Sequence, residues 1–299
     1  MAWANFVQNL LDGLLPGAGY AMLAVGFTLI FGVLRRANLA YGPAIMLGAY
    51  AATWLWLSTS AGLLILLLVT VAVSVLAGAY VERLCFAPHR RGSAVAAMVA
   101  SFALWMQLEE VATLWMPKHL YAFPPLTEAP GLLIAGFELR RETLVLLAVA
   151  VLMFAALAGL LYRTRFGLGV RALVEQPVAA ELVGIRSGRL YAGVFAVASV
   201  LGGVAAFLIA ASFQQVTPHL GMWSTMKGML AMMIGGLGSL PGAVLGGLVL
   251  GQIETHGQWY LGPQFRDLAA YLLLFALLAL RRQQHQSWGT AWTSTRSAS

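Results

Sequence analysis

Seven apolar stretches, each close to the length of a membrane-spanning helix, constrain this chain more than any other feature. They lie at about residues 12–34, 38–58, 61–80, 93–116, 143–162, 190–213 and 264–280. A helix needs about 20 apolar residues to cross the hydrocarbon core of a bilayer. Only 10% of the residues are charged, against about a quarter in soluble domains. We therefore expect an all-α, polytopic transmembrane bundle whose outer solvent is lipid.

A further glycine-rich stretch, at about residues 221–257, is too long for one span. It is interrupted at residues 235–242, which read GGLGSLPG. Glycine and proline both disfavour a continuous helix. The sequence therefore predicts two shorter helices that meet at a break, and eight or nine membrane passes in all.

The basic residues flank the apolar stretches, and their positions predict the orientation of the chain. With a net charge of +7, the clusters are at Arg35 and Arg36, at residues 83–91, at residues 163–189, and at Arg281 and Arg282. Strict alternation places all four on one side, as expected when basic loops stay in the cytoplasm. This pattern favours membrane topology over nucleic-acid binding. It predicts an outer N-terminus, an outer loop at about 117–142 and a cytoplasmic C-terminus.

The chain divides into a transmembrane domain, residues 1–282, and a polar tail, residues 283–299. The tail is rich in Gln, Ser and Thr, so we expect it to be disordered in the cytoplasm. The transmembrane domain contains no nucleotide-binding loop of the form G-x-x-x-x-G-K-[ST] and no G-x-S-x-G turn. The single Cys85 and the lack of a helical His-x-x-x-His pair argue against a metal site. We therefore predict a protein that is not an enzyme and binds no cofactor or metal.

The loop at about residues 163–189 predicts a short cytoplasmic helix at about 177–184. Pro177 suits the first turn of a helix, and Gly184 suits its end. Ala179, Ala180 and Val183 would then form a small apolar side that another protein can approach closely. The alternative is an amphipathic helix that rests on the lipid headgroups.

Two segments of the chain resemble each other and point to a transport path. Residues 38–50 align without gaps to residues 236–248, with four coincidences: Leu39/Leu237, Pro43/Pro241, Leu47/Leu245 and Gly48/Gly246. Paired segments interrupted by Gly or Pro mark the transport pathway in many transporters. Small residues coincide often in membrane helices, so chance is the alternative.

The loop at about residues 163–189 also carries a family resemblance. Ala179-Ala180, followed after three residues by Gly184, resembles the E-A-A-x-x-x-G loop of ABC importer permeases, with Val178 in place of the glutamate. Residues 17–42, residues 234–248 with Gly251 and Glu254, and residues 163–172 resemble the branched-chain amino acid permeases of the LivH/LivM type. The resemblance spans about residues 14–257. It implies a bacterial inner-membrane permease, whose ATPase-coupling residues would be Arg171, Ala179, Ala180 and Gly184.

In that family the short loop helix docks on a separate ATPase subunit, which binds the ATP. The resemblance therefore implies ATPase subunits, a second permease that is a copy or a paralogue, and a periplasmic binding protein as partners. It implies branched-chain amino acids, or related amides and ureas, as substrates. The predicted translocation path contains six residues: Asn38, Tyr41, Pro43, Gly235, Gly238 and Pro241. Tyr41 and Pro43 replace the residues that the family usually has, which leaves the substrate open.

Several polar residues in the spans allow other interpretations. Lys227, Glu254 and His256, with Asn38 and Gln107, can line a path or simply hydrogen-bond between helices. Glu109 and Glu110 can shape an outer vestibule or reach water. A secondary transporter of a small polar solute, driven by an ion gradient, is the main alternative; it would need a deep ionisable residue such as Glu254. A membrane-embedded enzyme would need a convergent set of acids, bases or metal ligands, which the sequence lacks.

Overall fold

The computed structural model describes residues 2–89, 92–118, 120–127, 131–134, 137–265, 268, 271, 272, 275 and 276. The predicted polar tail, Arg281 and Arg282 lie outside the described residues, as does most of the predicted span at 264–280. The helices within these limits are α1 (Ala2–Asp12), α2 (Leu14–Leu34), α3 (Tyr41–Thr59), α4 (Leu63–Val81), α5 (Ala94–Trp115), α6 (Arg141–Arg163), α7 (Arg165–Glu175), α8 (Pro177–Leu182), α9 (Ser187–Phe213), α10 (Leu220–Gly235) and α11 (Leu240–Leu261). The strands are β1 (Tyr121–Ala122), β2 (Leu132–Ile134), β3 (Phe137–Leu139) and β4 (Gln215–Val216).

The apolar stretches predicted the long helices well. Each of the six stretches before residue 214 forms one helix, with bounds that agree to within three residues. A π-helical turn at Glu82–Phe86 extends α4. No sequence pattern predicted α1, α7 or the four short strands, which form two antiparallel pairs, β1 with β4 and β2 with β3. The fold is therefore mostly helical rather than purely so.

Five helical segments in the described residues are long and apolar enough to cross a membrane, and a bent pair of helices makes a possible sixth. The expected total of eight or nine passes therefore stays a prediction. The helix α3 is not among the five. It contains Gly, Pro and Tyr residues that lower its hydropathy, and most of its residues are buried within the protein. A helix that is enclosed by other helices does not need an apolar surface for lipid.

Burial separates the long helices into a central and a peripheral set. In α2 and α9, 83% of the most apolar segment is buried, whereas the fraction is 28% in α4, 28% in α5 and 22% in α6. The peripheral helices expose large apolar side chains such as Leu68, Leu114 and Leu152. Exposed leucines on helices of this length are those expected of a lipid-facing surface.

Among the described residues, parts of three of the four predicted basic clusters, those at residues 35–36, 83–91 and 163–189, lie together at one end of the bundle. Arg36 Nη1 donates to the carbonyl of His89, and Arg36 Nη2 donates to the carbonyl of Gly92 at 2.9 Å. Arg35 and Arg171 line the same cavity. We call this the arginine-rich end. The helix α9 starts beside α7 and α8 there, and its 27 residues extend about 40 Å to the β1–β4 pair, which defines the strand end.

The predicted break in the glycine-rich stretch is confirmed. The helices α10 and α11 are bent by 116° relative to each other at a break of four residues. Glycines allow the two helices to touch there: a Cβ on Gly246 would lie 2.1 Å from the carbonyl oxygen of Ala231, and one on Gly235 would lie 1.9 Å from that of Gly242. Small residues that permit such close backbone approach are typical of packed membrane helices.

Candidate functional site

A cavity of about 640 Å³ opens at the arginine-rich end. Its walls come from the end of α2, the end of α6, the helix α7 and the break between α10 and α11. Charged groups at the cavity are Arg35, Arg171 and Glu175. Thr28 also lines it, and its Oγ1 is buried with no hydrogen-bond partner among the described residues. The cavity therefore offers polar groups within an otherwise apolar wall.

The helix α7 is held against the membrane helices by small residues and a capped start. Thr164 is its N-cap, and its Oγ1 accepts a hydrogen bond from the amide of Gly167 at 3.2 Å. A Cβ on Gly167 would lie 2.1 Å from the carbonyl oxygen of Leu161, so α7 touches the end of α6 directly. Arg171 lies over the ring of Tyr162, 5.5 Å from its centroid. Movement of α7 would therefore change the wall of the cavity.

The short predicted loop helix is confirmed as α8, with Pro177 at its first position. Its end is a Schellman motif: the amide of Gly184 donates to the carbonyl of Glu181 at 3.0 Å, and that of Ile185 to the carbonyl of Ala180 at 3.1 Å. Gly184 has a φ of +85°, which costs about 1–2 kcal/mol for a residue with a Cβ. The backbone turn that ends α8 therefore accounts for the glycine at position 184.

The exposed side of α8 is aliphatic. The exposed fractions are 72% for Val178, 83% for Leu182 and 79% for Val183, and Ala179 is exposed as well. We call these four residues the α8 face. One predicted member is wrong: Ala180 is buried, at 4% exposure, because α8 turns it towards the neighbouring helices α7 and α9. The predicted coupling role of Arg171, Ala179, Ala180 and Gly184 is a separate question and stays a prediction.

The segment between α2 and α3 is an irregular backbone that is partly buried inside the bundle. Asn38 and Ala40 are at most 3% exposed. Thr225 of α10 accepts a hydrogen bond from the amide of Gly42 at 3.1 Å, and Ser101 of α5 accepts one from the amide of Leu39 at 3.2 Å. Non-helical backbone at membrane depth is tolerated only where the protein satisfies its polar groups. Here neighbouring helices do so.

Two predicted path residues lie directly beside this segment. The hydroxyl of Tyr41 donates to the carbonyl of Ala198 at 2.9 Å, and its ring packs on Phe27 at 4.7 Å. The Cα of Pro43 lies 2.9 Å from the position of a Cβ built on Gly221. Asn38, Tyr41 and Pro43 are therefore enclosed by helices in this conformation, and their assignment to a path stays a prediction.

The other three predicted path residues surround the break between α10 and α11. Gly238 lines the large cavity, and Pro241 lines a smaller one beside it. Gly235 instead packs against Gly242. The structure thus brings Gly238 and Pro241 to open space at the arginine-rich end, whereas Tyr41 and Pro43 are enclosed. The two sets do not form one site in this conformation.

Two of the buried charged residues form a cluster that the sequence did not predict. Lys227 of α10 and Glu254 of α11 form an ion pair, and the side chains are 2% and 0% exposed. Tyr20 of α2 donates to Glu254 Oε2 at 2.6 Å. Lys227 and Glu254 were each recognised as polar residues in apolar stretches, but they are 27 residues apart, and only the bend between their helices brings them together. Tyr20 carried no signal of its own.

The acidic residues near the strand end differ in their surroundings. Glu109 accepts a hydrogen bond from Trp105 Nε1 at 2.7 Å, and its other oxygen lies 3.9 Å from His219 Nδ1. Glu110 is exposed. Both lie at the end that the pattern of basic residues predicts to be outside, where a carboxylate can reach water.

Comparison with known proteins gives a consistent result. Residues 9–280 match the family described as branched-chain amino acid transport system / permease component. The high-affinity branched-chain amino acid transport system permease protein BraD of Pseudomonas aeruginosa is 29% identical, over 93% of this chain and 94% of that protein. The corresponding permease protein LivH of Escherichia coli K12 is also 29% identical, over 91% and 92%.

A solved structure has the same fold. It is described as an inward-facing conformation of an ABC transporter of metal-chelate type. It superposes with a TM-score of 0.53 at 17% identity and covers 92% of this chain and 86% of the other. At this identity the likeness concerns the fold alone.

Proposed function

This chain belongs to the branched-chain amino acid transport permease family, and from that premise we propose that it is one membrane-spanning subunit of an ATP-driven importer. It is a multi-pass membrane protein. Its relatives are permease proteins of high-affinity branched-chain amino acid transport systems. The proposed substrates are branched-chain amino acids or related amides and urea, delivered by a periplasmic binding protein.

The α8 face is the single observation that carries this proposal. The chain has no nucleotide-binding loop, so the energy for uptake must come from elsewhere. Val178, Leu182 and Val183 are more than 70% exposed at the end that contains the basic residues. Adjacent aliphatic side chains that face water are typical of a protein contact. We assign this face to an ATPase subunit, with the residues of the predicted coupling loop around it.

We propose the orientation that the positive-inside rule predicts. The arginine-rich end would lie in the cytoplasm and the strand end in the periplasm, with the N-terminus outside and the C-terminus inside the inner membrane. The contacts of α8 then suggest a mechanism of alternating access. A displacement of α8 would pass to α7, which packs on α6 and forms one wall of the large cavity. The cavity would be the cytoplasmic opening of the path.

The complete transporter would contain this permease, a second permease that is a copy or a paralogue, and two ATPase subunits. The relatives are named as parts of transport systems, which supports a multi-subunit assembly. The second permease would complete the path, since Gly238 and Pro241 line cavities at the surface of this chain.

The experiment is uptake of radiolabelled leucine by vesicles that contain the complete transporter and its binding protein. We expect uptake to require ATP on the cytoplasmic side and to continue when ionophores dissipate proton and sodium gradients. Vesicles loaded with a non-hydrolysable ATP analogue are the matched control and should not accumulate leucine.

The ion-gradient-driven transporter makes the opposite prediction. It has one observation in its favour, the buried ionisable pair Lys227 and Glu254. Uptake that continues without ATP and stops with an ionophore would support that alternative and contradict an ATP-driven importer.

A further inference from the structure

Burial of the Lys227–Glu254 ion pair costs free energy of desolvation. Docking of an ATPase on the α8 face does not explain why the pair is there. Lys227 and Glu254 are 1% and 0% exposed. The desolvation of two charges can exceed their mutual attraction, and an apolar pair of similar volume is often as stable. Ionisable residues inside a membrane therefore commonly mark a substrate or ion site.

Open space approaches Tyr20, the hydrogen-bond partner of Glu254, from the strand end. A cavity of about 230 Å³ is lined by Phe213, Trp223 and His219. Below it lies a second cavity of about 10 Å³, which shares Phe213 and Trp223 with the first and is also lined by Tyr20. The rings of Tyr20 and Trp223 are 5.4 Å apart. Trp223 thus separates the outer cavity from the hydroxyl that contacts Glu254.

Two buried serine hydroxyls, next to Phe213 and Trp223 in the chain, have unused hydrogen-bonding capacity. Ser212 Oγ and Ser224 Oγ are buried and have no partner among the described residues. Ser212 lines the smaller cavity. Ser224 is 1% exposed and lies three residues before Lys227 on α10, which places both on one side of the helix. Buried polar groups are normally satisfied, so these hydroxyls could hydrogen-bond a polar ligand.

We propose that Lys227, Glu254 and Tyr20 form an intramembrane site for the head group of a zwitterionic amino acid. Lys227 would bind the α-carboxylate and Glu254 the α-ammonium. The two residues bind each other while the site is empty, so neither charge is left unpaired.

The surrounding side chains suit the rest of such a ligand. Leu15, Leu146 and Ile209 line the smaller cavity beside Trp223. An aliphatic side chain would pack there, as ligand sites are typically apolar with a few placed polar groups. The smaller cavity has room for about one water molecule. The site is therefore occluded in this conformation, and Trp223 must move for an amino acid to enter.

This site rests on the proposed function, because an amino-acid substrate is taken from it. The test uses the full-length chain purified with the subunits that co-purify with it, and without the binding protein. The thermal unfolding midpoint is measured with leucine, with 4-methylpentanoate, which lacks the ammonium, and with 3-methylbutylamine, which lacks the carboxylate. We expect leucine to raise the midpoint with increasing concentration and both analogues to give no shift.

The variant for this test is the double substitution Lys227→Met/Glu254→Leu, which removes both charges and leaves no unpaired one. We expect it to lose the leucine-dependent shift. The control is Glu110→Gln, which removes an exposed carboxylate and should keep the shift. In addition, diazirine-labelled photo-leucine should label the wild-type peptide that contains Trp223, a measurement that needs no folded variant.

Three results would overturn the site: no leucine shift in the wild type, an undiminished shift in the double variant, or photolabelling that omits α2, α10 and α11. Each leaves the proposed function intact if the same wild-type preparation takes up leucine with ATP. Failure of ATP-driven uptake in the wild type would overturn both proposals.

Discussion

The interior ion pair and the α8 face both place side chains in surroundings of the opposite polarity. The two mismatches are of opposite kinds. Lys227 and Glu254 place two charges in the apolar interior, whereas the α8 face places aliphatic side chains at an aqueous end. The charges are satisfied within the chain, by each other and by Tyr20. Val178, Leu182 and Val183 remain exposed. The difference teaches that buried charges are explained by contacts within this chain or by a ligand inside it. Exposed aliphatic side chains at an aqueous end are explained by a partner protein that covers them.

The largest effect on stability is expected from separating the ion pair. Glu254→Leu leaves Lys227 buried without its partner, and loss of one member of such a pair costs about 3–5 kcal/mol. We expect low yield and a strongly lowered unfolding midpoint in detergent. The double variant Lys227→Met/Glu254→Leu should recover most of the loss. If the single variant and the wild type are equally stable, Lys227 tolerates burial without Glu254, and the contrast with the α8 face is lost.

A smaller effect is expected where α10 and α11 touch. Gly246→Ala adds a Cβ that would lie 2.1 Å from the carbonyl oxygen of Ala231, so the two helices must separate. Overpacking of this kind costs about 1–3 kcal/mol. The control is Gly159→Ala on α6, where a Cβ would meet no atom within 4 Å. If both variants unfold at the same temperature, the close contact beside the break is not required.

The smallest effect on stability is expected on the α8 face. Val183→Asp changes a side chain that is 79% exposed, and surface substitutions usually change stability by no more than about 0.5 kcal/mol. Leucine uptake should nevertheless fall more than about tenfold, because a charge is introduced into an apolar contact. Val183→Ala should keep most of the uptake. Normal uptake by Val183→Asp would remove the docking role of this face.

Local signals predicted the parts of the fold that depend on short stretches of sequence. Apolar length located the membrane helices, and Pro177 and Gly184 located α8, because caps and turns are determined by a few neighbouring residues. The burial of Ala180 could not be predicted in this way, since it depends on how α8 packs on α7 and α9. The partnership of Lys227 with Glu254 depends on a bend of 116° that no local pattern specifies.

In the candidate site too, the sequence predicted the surroundings of some residues and not of others. Gly238 and Pro241 line open space as a path would require, and the glycines near them signalled the break. Tyr41 and Pro43 were singled out by their position in a family pattern, yet they are enclosed by Ala198 and Gly221. A sequence pattern reports which residues recur at a position, whereas the conformation decides which of them meet the path.

The central claim is that the α8 face lies in the cytoplasm and is covered by a separate ATPase. The most direct test is labelling of Val183→Cys by a membrane-impermeant maleimide, in a background where the buried Cys85 is replaced by serine. The account predicts labelling in inside-out vesicles stripped of peripheral proteins, protection when the ATPase subunit is restored, and no labelling of intact cells. Labelling of intact cells from the outside would contradict it, because an ATPase could not reach the face there.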